Sequence, residues 1–128
     1  MLTLDDCRRI STAAEAEAKK NNWNVCIAIL DDGGHLLHLV RMDGASPANA
    51  RIAVEKGRTA AESRRSSLVW EDRIKAGRNS MLGMPGITPV QGGLPIIVEG
   101  ICVGGVGVSG VQSHEDEQIA AAGIKVLG

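Results

Sequence analysis

The stretch WNVCIAILDDGGHLLHLVRM, Trp23 to Met42, holds two apolar runs around an Asp-Asp-Gly-Gly centre. In the first run, Trp23 to Leu30, Val25, Ile27 and Ile29 alternate with Cys26, Ala28 and Leu30. Successive side chains of a strand point to opposite faces, so both faces of this strand are apolar and both are expected to be covered. Asp31 to Gly34 supplies a turn, and His35 to Met42 is the returning strand. A hairpin of this kind implies an antiparallel sheet.

The flanking segments read as helices. Upstream, Thr3 and Asp6 have capping-box spacing, and Leu4, Cys7, Ile10, Ala14 and Ala18 share one helical stripe. Downstream, Ser46-Pro47 predicts a helix start, with the helix running to about Arg64. Ser66 or Ser67 can cap a further helix that ends at Ala76-Gly77. Arg78 to Thr88 reads as a loop. Leu94 to Glu99 and Ile101 to Ser109 form a second hairpin across Glu99-Gly100. Ser113 with Asp116 predicts a last capping box, ahead of a helix burying Ile119, Ala122, Gly123 and Val126. The order helix, hairpin, two helices, hairpin, helix predicts an α+β fold with helices on both faces of the sheet.

The whole chain, 128 residues, suits one domain, residues 1–128. Fourteen basic and fifteen acidic residues give a net charge of -1, which offers no electrostatic case for nucleic acid or an anionic membrane. No apolar run approaches a membrane span, and MLTLDDCRRI has no signal-peptide core, so a cytoplasmic protein is expected. With no Phe or Tyr and two Trp, the core must be built from Ala, Val, Ile and Leu. Such a core is thin at this length, which predicts self-association. Cys7, Cys26 and Cys102 have no paired spacing and read as small buried hydrophobes.

Few residues carry chemistry. Lys56 falls between Ile52 and both Ala53 and Ala60 at about 100° per residue, inside the apolar stripe of its helix. It must hold an anionic ligand, snorkel, or pair with Asp43 or Asp116, because an unpaired buried ammonium is costly. Gly57 beside Ala53, Ala60 and Ala61 lets another backbone approach, from the sheet or from a second helix. Arg41 shares a strand face with His35, Leu37 and Leu39; it either clamps a carboxylate or pairs with an acid such as Asp43. His35 and His38 point to opposite faces of a regular strand and cannot jointly ligate one metal; His114 lies in the first turn of the last helix. Met42, Met81 and Met84 are possible soft ligands. The run GGVGVSG, Gly104 to Gly110, is neither a Walker loop nor a dinucleotide fingerprint. Asp116 and Glu117 suit the positive end of the last helix. No catalytic triad, HExxH, P-loop or paired-carboxylate spacing stands out, so the residues give no support to a classical hydrolase, metalloprotease or kinase.

Taken together, AILDDGGHLLHLVRMDGA (28–45), IAVEKGRTAAES (52–63), GGLPI (92–96), GVGVSG (105–110) and DEQIAAAG (116–123) resemble the GlcG-like and HbpS-like heme-binding family, also found as the C-terminal domain of PduO. The resemblance covers nearly the whole chain. It implies a profilin-like, three-layer α-β-α fold with a central antiparallel sheet. It also implies homodimers that assemble further, often to octamers, and heme or iron binding in some members. The family's patterned positions fall here on Arg41, Asp43, Lys56, Thr59, Gly92, Gly93, Pro95, Ser109, Asp116 and Glu117. Of these, Arg41, Asp43, Lys56, Thr59, Gly92, Gly93, Pro95 and Ser109 are the expected ligand-binding set. Heme-iron candidates are His35, His38 and His114, none of them fixed by the pattern.

Three functions follow as expectations. The first is an oligomeric binding protein for heme or a similar anionic cofactor, with Arg41 and Lys56 in one pocket meeting carboxylates. The second is an enzyme or accessory protein for a small organic acid in a catabolic pathway, with Lys56, Arg41, Asp116 and Glu117 as catalytic candidates. The third is a ligand-free oligomeric scaffold.

Overall fold

A computed structural model describes residues 1–128. The elements are α1 (Leu4–Lys20), β1 (Cys26–Asp31), β2 (Leu36–Arg41), α2 (Pro47–Ser63), α3 (Leu68–Lys75), β3 (Gly93–Val98), β4 (Ile101–Ser109) and α4 (Ser113–Ile124). Short 3₁₀ turns cover Asn79–Gly83, inside the expected loop, and Lys125–Leu127. The four strands form one antiparallel sheet in the order β2-β1-β4-β3. Each hairpin thus occupies half of the sheet, and β1 joins β4 at the centre, from Cys26 opposite Ser109 to Asp31 opposite Gly104.

Two apolar clusters lie on the two faces. Val25, Ile27 and Ile29 pack with Cys7, Ile10 and Ala14 of α1 and Ile119 and Ala120 of α4. Cys26, Ala28 and Leu30 pack with Ala45 and with Ala53 of α2. The doubly apolar β1 is therefore covered on both sides, and the architecture is three-layered α-β-α. Burial raises the thiol pKa of Cys7 and Cys26 above the ordinary value, and all three cysteines are free.

The caps depart from the sequence expectation in three places, one of them Ser46, whose side chain makes no cap hydrogen bond although Pro47 opens α2 as expected. Thr3 and Asp6 do form the reciprocal box, with Asp6 N–H donating to Thr3 Oγ1 at 3.0 Å and Thr3 N–H to Asp6 Oδ2 at 2.9 Å. At α4 the box belongs to Gln112 and Glu115, not Ser113 and Asp116. Asp116 is thereby freed to turn inward. Ser67 does not cap α3; its hydroxyl is used on the sheet instead. On the two apolar stripes, Leu4 is exposed while Leu2 is covered, and Ala122 and Val126 are only half-buried.

Glycine sets how closely α2 lies on the sheet. A Cβ at Gly107 would fall on the Ala53 carbonyl oxygen, and one at Gly93 on the Lys56 carbonyl oxygen. At Gly105 it would come 2.5 Å from the Gly57 carbonyl oxygen. On the helix side, a Cβ at Gly57 would strike Leu30 Cδ1 and lie 2.9 Å from Gly107 N. Helix backbone thus rests on strand backbone, with no side-chain layer between them. Of the two readings open for Gly57, close packing on the sheet is the one realised.

Because Gly107 lacks a Cβ for steric reasons alone, Gly107→Ala must lift α2 or bend β4. We expect a loss of about 3 kcal/mol in urea unfolding, the upper range of core overpacking. A midpoint equal to that of the wild type would refute the backbone-contact account.

Candidate functional site

The close approach of α2 delivers Lys56 to the end of the sheet. Its side chain passes Gly92, where a Cβ would lie 2.8 Å from Nζ. Gly92 also has φ +133°, a backbone conformation that side-chain-bearing residues rarely adopt. Lys56 Nζ donates to the Val108 carbonyl at 3.1 Å and to Asp116 Oδ2 at 3.0 Å. The other carboxylate oxygen of Asp116 accepts the Val111 N–H at 3.1 Å. Lys56 is 2% and Asp116 1% exposed, so this is a buried ion pair. It joins α2 on one face of the sheet to α4 on the other. Of the alternatives open for Lys56, pairing with Asp116 is the one found.

Burial pushes the Asp116 carboxyl above its ordinary pKa, although the Lys56 ammonium and the Val111 N–H favour the ionised form. Around the pair the polar atoms are satisfied. Ser67 Oγ accepts the Gly93 N–H at 2.9 Å and donates to the Val90 carbonyl at 2.6 Å. Glu71 accepts the Gln91 N–H at 3.1 Å; burial alone would raise its carboxyl, but that bond and Lys75 hold it low. Ser66 Oγ donates to Glu117 Oε1 at 3.0 Å, so Glu117 ties α4 to the start of α3. No buried side-chain nitrogen or oxygen is left without a partner.

The other sequence candidates lie elsewhere. Thr59 accepts the Thr88 N–H at 2.8 Å and donates to the Gly86 carbonyl, holding the 84–88 loop against α2. Ser109 donates to Asn49 at 2.7 Å, tying the end of β4 to the start of α2. Pro95 sits in β3 opposite Gly105. Arg41 is exposed at the end of the edge strand β2, and its Nε donates to the Ala45 carbonyl at 3.0 Å. With Asp43, Glu15 and Lys19 it lines a cavity of about 360 Å³. Lys56 lines no cavity, so the expected pocket shared by Arg41 and Lys56 is absent from the monomer. The physical reason is that Lys56 is spent on Asp116, two strands away from β2.

The histidines do not converge. The His35 side chain is 82% exposed and lies 3.2 Å from Asp31 Oδ1. His38 is half-buried opposite Ile29, and His114 is exposed on α4. No cluster of three His, Cys, Asp or Glu side chains is arranged to hold a metal ion. Sequence reasoning missed Ser67, Trp70 and the arginines beside Trp70. The only available signal was that Trp70 is one of two aromatic side chains in the chain.

Removing one partner of a buried pair strands the other, which typically costs about 3–5 kcal/mol. Asp116→Ala and Lys56→Ala should each destabilise to that extent in urea, while Lys56→Met with Asp116→Leu should recover most of it. Single variants that lose less than about 1 kcal/mol would contradict a buried, structural ion pair.

Comparison with known proteins agrees with this architecture. The family model "Haem degrading protein HbpS-like" matches residues 2–125. Protein GlcG of Escherichia coli is 48% identical over 100 residues, 78% of this chain and 75% of that protein. A crystal structure of a Streptomyces reticuli HbpS double mutant is 34% identical, covers 99% of this chain and 87% of its own, and superposes with a TM-score of 0.92. The PduOC:heme complex, 24% identical, has the same fold, with a TM-score of 0.89 over 99% of this chain and 95% of that one. No helix here is long and apolar enough to cross a membrane. With a match over nearly every residue and the three-layer architecture in common, the chain belongs to the HbpS-like family.

Proposed function

We propose that this chain is a homo-oligomeric binding protein for heme or a similar anionic cofactor, held at the open edge of the sheet. The observation that carries the reading is the surface of β2. Leu36, Leu37 and Leu39 are exposed there, with Ile52 of α2 also exposed, and Arg41 ends the same strand. An apolar ledge ending in a guanidinium fits a flat apolar ring that bears carboxylates. His35 stands at the turn of the same hairpin as an imidazole donor, while His38, opposite Ile29, lies on the other face of the sheet from Leu39 and Arg41. The residues therefore suit heme at a surface. Family membership and the heme held by PduOC on this fold support the choice of cofactor.

Bound heme would supply a redox-active iron. The chain's part is to cover the ring with Leu36, Leu39 and Ile52 and to pair a carboxylate with Arg41. Asp43 lines the cavity beside Arg41, whereas the patterned Gly92 and Gly93 lie at the opposite edge of the sheet, against Lys56, and serve the fold. Lys56 acts through the fold, since its ammonium already meets Asp116 and Val108. That placement gives no support to Lys56 as a base acting on a small organic acid.

The same edge is the reading's site of self-association. β2 and β3 are the two edge strands, and β3 carries Pro95, which has no N–H to offer a neighbour. β2 has no proline and exposes leucines. A second copy docking there would cover the ledge and enclose the ligand.

Light scattering should give a dimer or larger assembly, weakened by Leu39→Glu. Hemin titration should give a saturable Soret shift, weakened several-fold by Arg41→Gln. Alanine at His35, His38 and His114 in turn identifies the iron ligand through loss of the nitrogen-ligated spectrum. A monomer with no saturable shift, in folded protein, would overturn the proposal.

A further inference from the structure

The largest cavity, about 450 Å³, lies on the α3 side of α2, away from the β2 edge. Its floor is Trp70, which is 8% exposed. Arg73 lies over the indole, its guanidinium carbon 4.9 Å from the ring centroid. Arg65 reaches the cavity from just beyond the end of α2, after Arg64 turns the chain with φ 58°. Neither Arg65 nor Arg73 takes part in an ion pair. Met84 and Ile87 complete the apolar wall, and Glu62, also without an ion pair, stands at the rim.

The walls are fixed by hydrogen bonds, which suits a preformed pocket. Trp70 Nε1–H donates to Ser63 Oγ at 3.2 Å, and Ser63 Oγ–H donates to the Thr59 carbonyl at 2.6 Å. Thr59 Oγ1 in turn accepts the Thr88 N–H at 2.8 Å, holding the loop that bears Met84 and Ile87. One helix, α2, therefore positions both the indole and the opposite wall. Two guanidinium groups with no acidic partner call for an anion, and the planar fork of Arg suits a carboxylate. The indole, thioether and isoleucine call for an apolar body behind it. Glu62 opposes a second negative charge.

We propose that this pocket binds a small monocarboxylate with an apolar body, its carboxylate between Arg65 and Arg73 and its hydrocarbon against Trp70, Met84 and Ile87. The site is separate from the β2 edge and stands or falls independently of heme binding.

The pocket contains one of the chain's two tryptophans, so Trp23→Phe leaves Trp70 as the sole fluorophore. Titration of that variant with hexanoate should change Trp70 emission saturably, with a dissociation constant on the order of 1 mM. Hexanamide, lacking the charge, and succinate, carrying a second one, should each bind at least about tenfold more weakly. Arg65→Gln and Arg73→Gln, checked for fold by circular dichroism, should each weaken hexanoate by a similar factor. Saturation-transfer NMR on the hexanoate methyl group gives a readout that does not depend on the emission of Trp70. The proposal is overturned by absence of a saturable response, by hexanamide or succinate matching hexanoate, or by indifference to both arginine substitutions. The hexanamide and succinate arms decide the matter even if the arginine variants fail to fold. A hemin titration of the same variant tells failure at this pocket apart from failure at the β2 edge.

Discussion

The direct contact of the α2 backbone with the strands beneath it is the constraint on which the rest of this structure depends. Gly57, Gly93, Gly105 and Gly107 remove the side-chain layer that normally separates a helix from a sheet. Dispersion and apolar burial then act over a short distance, which suits a core of Ala, Val, Ile and Leu with almost no aromatic bulk. The cost is the conformational entropy of several glycines in the unfolded chain. Such a mesh is intolerant, since one methyl group in the wrong place displaces a whole helix.

The buried ion pair follows from that contact. Only because α2 lies so low can Lys56 pass the bare backbone of Gly92 and meet Asp116 on the far layer. A buried pair is weak evidence of net stability, because desolvation offsets much of the Coulombic gain. Its value here is positional: it fixes α4 relative to α2 with a geometry that an apolar contact would not define as sharply. Carbonyl and amide groups of Val108 and Val111 complete the shell, so the pair is satisfied on both sides.

The two candidate ligand surfaces lie on different elements and use different cations. Arg41 ends an exposed apolar edge strand, whereas Arg73 stands over a buried indole and Arg65 lines the same cavity. Proline in β3 and none in β2 makes the two edges of the sheet unequal as templates for strand pairing. Thr59, one residue of the family pattern, proves to be a wall-holder: it braces the loop 84–88 against α2.

Local chemistry made most of the elements legible. The alternating apolar run of β1, the Asp-Asp-Gly-Gly turn, Thr3 with Asp6, and Ser46-Pro47 each report on a few adjacent residues, where period and capping act. The burial of Lys56 was also legible, because its angular position on the helix is set by sequence spacing alone. Its partner was not. Asp116 is sixty residues away, and the capping role expected of it is taken by Glu115 once Gln112 becomes the cap. The central pairing of β1 with β4, the separation of Arg41 from Lys56, and the gathering of Arg65, Trp70, Arg73 and Met84 arise from long-range packing. Periodicity tells which face of an element is apolar; which other element meets that face is decided by closure of the whole chain around the sheet.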